Sequence, residues 1–208
     1  MRYDNFIVPN HRNLNRRSRG RLPHWELDQA NYSITFRLRD SLPRAVAQAL
    51  FEEREHILRT AMNASERAEA DRMFALRLDS HLDAGYGSCI LREDRNAAIV
   101  AGALQHFDRT RYNLHAWCVM PNHVHAMFYL ERGADLPEIM HSWKSYTSHE
   151  IGQGVIWQRE YYDRIVRDAR DFRDSRNYVL NNPAKAGLRG WKWVGYGSGG
   201  VGEEQPTG

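Results

Sequence analysis

The stretch YNLHAWCVMPNHVHAMFYL, Tyr112–Leu130, decides the fold. It contains two runs rich in aromatic and β-branched residues, 112–119 and 124–130, on either side of a break that includes Pro121. Such a pattern predicts two neighbouring strands joined by a turn. Side chains two residues apart on a strand project from the same face, so the second run has one wholly apolar face. Its other face carries His125, and His123 continues that face.

The flanking segments predict the rest of a sheet and its helices. Residues 31–38 alternate and predict a strand, and residues 155–166 predict a fourth strand, interrupted near 159–160. Capping residues and apolar spacing predict helices at about 41–62, 65–84, 93–107, 136–151 and 170–181, the last one ended by Pro183. This order indicates an α+β fold, a ferredoxin-like (RRM-like) antiparallel sheet with helices on one face and extra helices after the first strand.

The chain divides into one predicted domain and two tails. Residues 1–24 are polar and basic, and Arg16, Arg17, Arg19 and Arg21 lie there. A flexible arm that binds DNA phosphates and a merely solvated tail both fit this composition. Residues 25–194 form the domain, and the Gly-rich segment 195–208 is predicted to be disordered.

Composition narrows the class of protein. The net charge of the 208 residues is only +3, but just three of the 29 basic residues are lysines. Arginine suits bidentate phosphate contacts, although a GC-rich genome explains the same bias. No run approaches the roughly 18 apolar residues of a membrane span, and two cysteines form no disulfide framework. We expect a cytoplasmic protein with no membrane partner, associated with the nucleoid when bound to DNA.

Two pairs of residues indicate chemistry. His123 and His125 share a strand face and provide two ligands for a divalent metal, although one such pair can also be structural. Tyr178 and Asn182 lie four residues apart, on one face of the last predicted helix. The amide oxygen suits Mg²⁺ or Mn²⁺, and the hydroxyl could attack a phosphate. Equally, Tyr178 fits a core aromatic, and Asn182 fits a residue at a helix end.

Two side chains of the predicted helix 136–151 carry further expectations. Lys144 is either a DNA contact or part of a solvated face. Tyr146 is in register with Ile139 and Trp143 and is expected in the core.

Longer motifs resemble one family. Leu114–Leu130 is similar to the motif region of the single-tyrosine transposases, the IS200/IS605-like group of the HUH superfamily. The segments WQREYYD (157–163) and YVLNNPAKAG (178–187) resemble its REP-associated tyrosine transposase branch. The resemblance covers about residues 24–190 and implies a fold of the HUH endonuclease type. It also implies that His123, His125 and Asn182 bind a divalent metal and that Tyr178 is the nucleophile.

The resemblance implies a reaction and its partners. It suggests a transposase that nicks and joins single-stranded DNA at REP-like hairpins through a 5′-phosphotyrosine intermediate, with Mg²⁺ or Mn²⁺ as cofactor. Such an enzyme binds single-stranded or hairpin DNA and works as a monomer or homodimer. Two alternatives stay open: a non-catalytic regulator that binds DNA hairpins, and a metal nuclease that uses water while Tyr178 is structural.

Overall fold

The computed structural model describes residues 15–18, 23–27 and 29–198. Its strands are β1 (Asn15–Ser18), β2 (Pro23–Glu26), β3 (Asn31–Arg37), β4 (Tyr112–Val119), β5 (His123–Leu130), β6 (Tyr162–Ile165) and β7 (Val194–Gly195). Its helices are α1 (Arg44–Thr60), α2 (Ala64–Asp83), α3 (Asp94–His106), α4 (Leu136–Ile151) and α5 (Ala169–Lys185), with a short 3-10 turn at Ile90–Arg92. Among the described residues, none of the helices is long and apolar enough to cross a membrane.

The sheet has the predicted antiparallel arrangement. Its strand order is β6-β3-β5-β4-β7, and every neighbouring pair is antiparallel. The β4–β5 hairpin turns at Pro121-Asn122, where the Met120 amide donates to the His123 carbonyl at 2.8 Å. The α+β, ferredoxin-like fold class is therefore confirmed.

Helices cover both faces of this sheet, whereas helices on one face were predicted. The apolar face of β5 packs against α3 and α4 in a core that includes Phe128, Leu104 and Trp143. This is the predicted helical layer. On the opposite face, α5 packs Phe172 and Val179 against residues of β4 and β5. Since β5 turns both histidines toward that second face, α5 lies on the side of the sheet that carries them.

The two extra helices pair with each other beside the sheet. Leu50 of α1 packs against Phe74 and Leu78 of α2, and Tyr162 of β6 joins this cluster. Arg54 pairs with Asp71 at 2.6 Å across the two helices. The sequence predicts both helices but not their place, which is next to the edge strand β6.

The last helix is longer than predicted. The helix was expected to end at Asn181, before Pro183. Instead, α5 continues to Lys185 and includes Pro183. A proline in the final turn removes one helical hydrogen bond, but the chain still forms one at the helix end, from the Ala186 amide to the Asn182 carbonyl at 3.0 Å. As a result Asn182 lies within the helix, one turn after Tyr178.

The fourth strand is shorter than predicted. Only Tyr162–Ile165 forms a strand, preceded by an isolated bridge between Trp157 and Leu38. In between, the carbonyls of residues 158, 159 and 160 lie 2.9, 3.0 and 3.5 Å from the Lys144 ammonium. Those carbonyls accept hydrogen bonds from a lysine and not from a neighbouring strand. The pairing of the fourth strand with β3 is therefore interrupted there.

The tails lie partly outside the described residues. Arg19, Arg21 and residues 199–208 fall outside them, as does most of the predicted basic arm. Arg16 and Arg17 lie in the β1–β2 hairpin, where the backbone alone is described. Gly195, predicted to begin the Gly-rich tail, pairs with Trp117, and the Ser198 amide donates to Asp108 at 2.7 Å.

Tyr146 is exposed, contrary to the expectation that it lies in the core. Its relative accessibility is 53%, whereas Trp143 is buried. Thr147 takes the inward position one turn after Trp143 and accepts a hydrogen bond from Trp157. Helical spacing placed Tyr146 next to the buried residues of α4, but Thr147 occupies the buried position instead.

We expect the two aromatic residues of α4 to differ in their contribution to stability. Trp143→Ala removes a ring packed on Phe36, Tyr112 and Phe128 and should lower the free energy of unfolding by about 3–5 kcal/mol. Tyr146→Ala, the matched control, should change it by less than about 0.5 kcal/mol. Urea unfolding of both variants measures this, and equal losses would contradict the assigned packing.

Candidate active site

The two imidazoles of β5 face each other below α5. The Nε2 atoms of His123 and His125 lie 2.9 Å apart, and their rings are perpendicular. Both side chains are buried. The strand alternation found in the sequence thus brings the two ring nitrogens to one point.

The opposite nitrogen of each ring is held by a polar neighbour. His123 Nδ1 lies 2.7 Å from the side-chain oxygen of Asn122, whose amide nitrogen donates to the carbonyls of Leu82 and Tyr86. The Asn122 oxygen must therefore accept, so Nδ1 of His123 carries the proton and its Nε2 presents a lone pair. His125 Nδ1 lies 2.9 Å from the Thr35 hydroxyl. These contacts fix the orientation of both rings.

Both histidines are neutral in this environment. Burial lowers the pKa of His125 to about 4, and it lowers the pKa of His123 well below its ordinary value. A neutral imidazole is the form that binds a metal ion. The pair is thus ready to accept a cation at neutral pH.

Helix α5 brings Tyr178 and Asn182 to the histidines. The Tyr178 ring is perpendicular to that of His125, with 5.7 Å between centroids. Asn182 is fully buried, and neither atom of its amide has a hydrogen-bond partner among the described residues. An unpartnered buried amide is costly, which indicates a ligand. The two histidines and Tyr178 therefore lie together within a single chain, and Asn182 follows one turn after Tyr178 on α5.

The donor set fits a divalent metal. Two ligands at 2.1 Å and a right angle are about 3.0 Å apart in octahedral coordination, close to the 2.9 Å between the imidazole nitrogens. The Asn182 amide supplies an oxygen donor, and Asp83 Oδ1, 3.9 Å from His123 Nε2, is buried without a partner in the described part of the chain. Within the described ranges no three His, Cys, Asp or Glu side chains are grouped to hold a metal, so a metal site here would depend on the Asn182 amide as its third donor.

Lys144 lies away from this site. Its ammonium contacts the three carbonyls described above and lies over the rings of Phe36 and Tyr161. Burial lowers its pKa to about 8. It lines a groove of about 930 Å³ between α4 and residues 152–161, on the other face of the sheet. These contacts favour a structural role over the expected DNA contact.

Part of the chain matches a known protein family. Residues 90–182, which include both histidines, Tyr178 and Asn182, match the family described as "Transposase IS200 like". This match covers slightly less than half of the chain. The resemblance inferred from the motifs is confirmed.

Two proteins that are similar to this chain carry more specific names. A REP-associated tyrosine transposase of Escherichia coli (strain K12) is 30% identical over 79 residues. That stretch is 36% of this chain and 47% of the relative, so the match spans about half the relative's length. A solved structure of a REP-associated tyrosine transposase bound to a REP hairpin is similar with a TM-score of 0.52 and 16% identity, over 82% of this chain and 79% of that one. This second match shows the shared fold.

Two acidic residues of the candidate site were missed from the sequence. Asp79 Oδ2 accepts a hydrogen bond from the Tyr178 hydroxyl at 2.6 Å, and Asp83 lies one turn further along α2. Their four-residue spacing put them on one helix face. Nothing in the sequence showed that this face turns toward β5, since α2 is one of the extra helices.

The site also contains a lysine. The Lys185 ammonium lies 5.1 Å from the centre of the Tyr178 ring, at the end of α5. Burial raises the pKa of Asp79 and of Asp83, and the positive charge of Lys185 offsets only part of that increase. Burial, and after it the charge of Asp79, raises the pKa of Tyr178 far above 10. The phenol is therefore protonated at rest.

The buried His115 is expected to make the stability of this protein depend on pH. Burial lowers its pKa to about 4, whereas an unfolded histidine titrates near 6.5. Its stabilising effect is thus complete above about pH 6.5 and is lost as the pH falls toward 4. Asp79, with a pKa raised to about 6, titrates in the opposite sense.

We expect His115→Gln to flatten this dependence while keeping a donor to Asn31, which lies 2.7 Å from the imidazole. Between pH 7 and pH 4.5 the wild type should lose about 2.5 kcal/mol more than the variant. Because Asp79 is present in both proteins, the difference isolates His115. Urea unfolding at the two pH values measures it, and parallel curves would show that His115 does not carry the effect.

Proposed function

We propose that the chain is a metal-dependent enzyme that nicks and joins single-stranded DNA at REP-like hairpins, with Tyr178 as its nucleophile. The observation that carries this proposal is the convergence of the Tyr178 ring on His125, beside two facing Nε2 atoms and an unpartnered amide. A tyrosine placed there can attack a phosphate bound at the same point.

The residues that would hold the metal are His123, His125 and Asn182. When bound there, a divalent ion such as Mg²⁺ or Mn²⁺ polarises the scissile phosphate and stabilises charge on its oxygens. Asn122 and Thr35 keep the two rings in the orientation that presents Nε2. Such supporting contacts typically matter 10–100-fold for metal affinity.

Tyr178 Oη forms a bond to phosphorus while the bond from phosphorus to the 3′-oxygen breaks. The products are a 5′-phosphotyrosine and a free 3′-hydroxyl. The covalent bond retains the energy of the phosphodiester, so a 3′-hydroxyl can rejoin without a nucleotide cofactor. One nucleophile allows one cleavage before rejoining.

Hairpin DNA is the proposed substrate because of the relatives. A REP-associated tyrosine transposase with the same fold is bound to a REP hairpin, and a relative of the same name matches part of this chain. Lys185 lies next to Tyr178, where its ammonium could bind a DNA phosphate.

A direct experiment incubates the protein and Mn²⁺ with hairpin DNA labelled at either end. The 3′ label should move to a protein-bound band that resists denaturation, and the 5′ label should appear on a released fragment ending in a 3′-hydroxyl. Cleavage without a bound band would support the water-using nuclease. Binding without cleavage would support the regulator. A single strand of equal length without the palindrome is the control and should give no adduct.

A further inference from the structure

Helix α2 places the carboxylate of Asp79 next to Tyr178, the proposed nucleophile. Leu78 and Leu82 pack against α1, and the Asn122 amide donates to the Leu82 carbonyl at 3.1 Å, which ties α2 to the β4–β5 turn. This packing turns Asp79 toward α5. Asp79 has a relative accessibility of only 6%, so water is largely kept from its carboxylate.

The contact between Asp79 and Tyr178 has the geometry of proton transfer. The Tyr178 hydroxyl donates to Asp79 Oδ2 at 2.6 Å. A general base must lie within about 2.6–3.2 Å of the atom whose proton it takes. The distance therefore suits removal of the phenol proton without rearrangement of either helix.

We propose that Asp79 is the catalytic proton acceptor that activates Tyr178. This role rests on the proposed function. As Tyr178 Oη bonds to phosphorus, its proton moves to Asp79 Oδ2, the bond from phosphorus to the 3′-oxygen breaks, and the leaving oxygen takes a proton from water. In rejoining, a 3′-hydroxyl attacks and gives its proton to water, and Asp79 returns its proton to Tyr178.

The surroundings of Asp79 suit this task. Burial raises its pKa to about 6, despite the hydrogen bond from Tyr178 and the charge of Lys185. An acceptor with a pKa near the working pH is effective in general base catalysis. The other titratable groups that face it are Asp83 from α2, Tyr162 from β6 and, behind Tyr178, His125 from β5.

A base is needed because the phenol resists ionisation. The same burial and negative charge that raise the pKa of Tyr178 make a free tyrosinate rare. Proton transfer during the attack avoids that intermediate. The charge of Asp79 makes the resting phenol harder to ionise, but as proton acceptor Asp79 removes the need for a free tyrosinate.

The test compares Asp79→Asn with Glu69→Gln, an exposed carboxylate of the same helix. At pH 7.5 the single-turnover rate of adduct formation should fall about 10²–10⁴-fold in Asp79→Asn and stay within twofold in the control. Hairpin affinity, measured by fluorescence anisotropy, should stay within threefold in both. The wild-type rate should rise with pH to a plateau above about pH 6–7, and Asp79→Asn should lack this rise.

A second variant separates chemistry from packing. In Asp79→Ala, formate should restore adduct formation in proportion to its concentration, which a purely structural aspartate would not allow. If the wild type forms adduct and Asp79→Asn matches its rate and pH profile, the role of Asp79 is wrong while the proposed function stands. If the wild type itself forms no adduct, both are overturned.

Discussion

Tyr178→Phe should abolish the covalent protein–DNA adduct. The variant keeps the ring that packs perpendicular to His125 and loses only the oxygen that would bond to phosphorus. Removal of a nucleophile should reduce the rate at least about 10⁴-fold. Hairpin affinity should remain, because the substitution leaves the surface unchanged. Denaturing gels and mass spectrometry of the adduct peptide measure the result.

The matched control for that variant is Tyr146→Phe. Tyr146 is exposed on α4, on the other face of the sheet, and its variant should form adduct at the wild-type rate. Persistence of the adduct in Tyr178→Phe would assign the nucleophile to another tyrosine. Cleavage that continues without an adduct would assign it to water.

The same variant addresses whether the tyrosine acts within its own chain. Tyr178 lies beside the histidines of the same chain, so a mixture of Tyr178→Phe and a histidine variant should form no more adduct than either alone. Recovery of activity in the mixture would show that a partner chain supplies the tyrosine in a homodimer.

His125→Gln should remove metal binding and, with it, cleavage. Loss of a supporting contact to a metal ligand already costs 10–100-fold in affinity, so loss of the ligand itself should weaken Mn²⁺ binding at least about 100-fold. Titration calorimetry measures the affinity, and the adduct assay should show a loss of about 10³-fold. The glutamine keeps most of the side-chain volume next to Thr35 and Tyr178.

The control for the histidine variant is His56→Ala. His56 is exposed on α1 and should leave both the Mn²⁺ affinity and the adduct rate unchanged. Thermal melting of both variants reports on folding. Wild-type Mn²⁺ affinity in folded His125→Gln would remove the imidazole pair from the proposed metal site.

Local patterns were enough to predict the elements that carry the site. Alternation along β5 placed His123 and His125 on one face, and that face lies under α5. The helix predicted at about 136–151 corresponds to α4, which Asp135 caps at its start and Gly152 follows at its end. The four-residue spacing of Tyr178 and Asn182 put both on the inward side of α5.

Long-range packing decided what the sequence pattern could not. The place of α2, and hence of Asp79, depends on contacts with α1 and the β4–β5 turn that no local pattern shows. Lys144 was expected to contact DNA from an exposed face of its helix. Its ammonium instead donates hydrogen bonds to carbonyls in the interrupted part of the fourth predicted strand. Pro183 was expected to end a helix that it only weakens.

A crystal of the protein soaked in Mn²⁺ gives the most direct measurement, an anomalous difference map collected at the manganese edge. It should show one strong peak within bonding distance of Nε2 of His123, Nε2 of His125 and the side-chain oxygen of Asn182, with the Tyr178 hydroxyl of the same chain nearby. An ion bound elsewhere, with the imidazole nitrogens still in contact with each other, would contradict the proposed metal site.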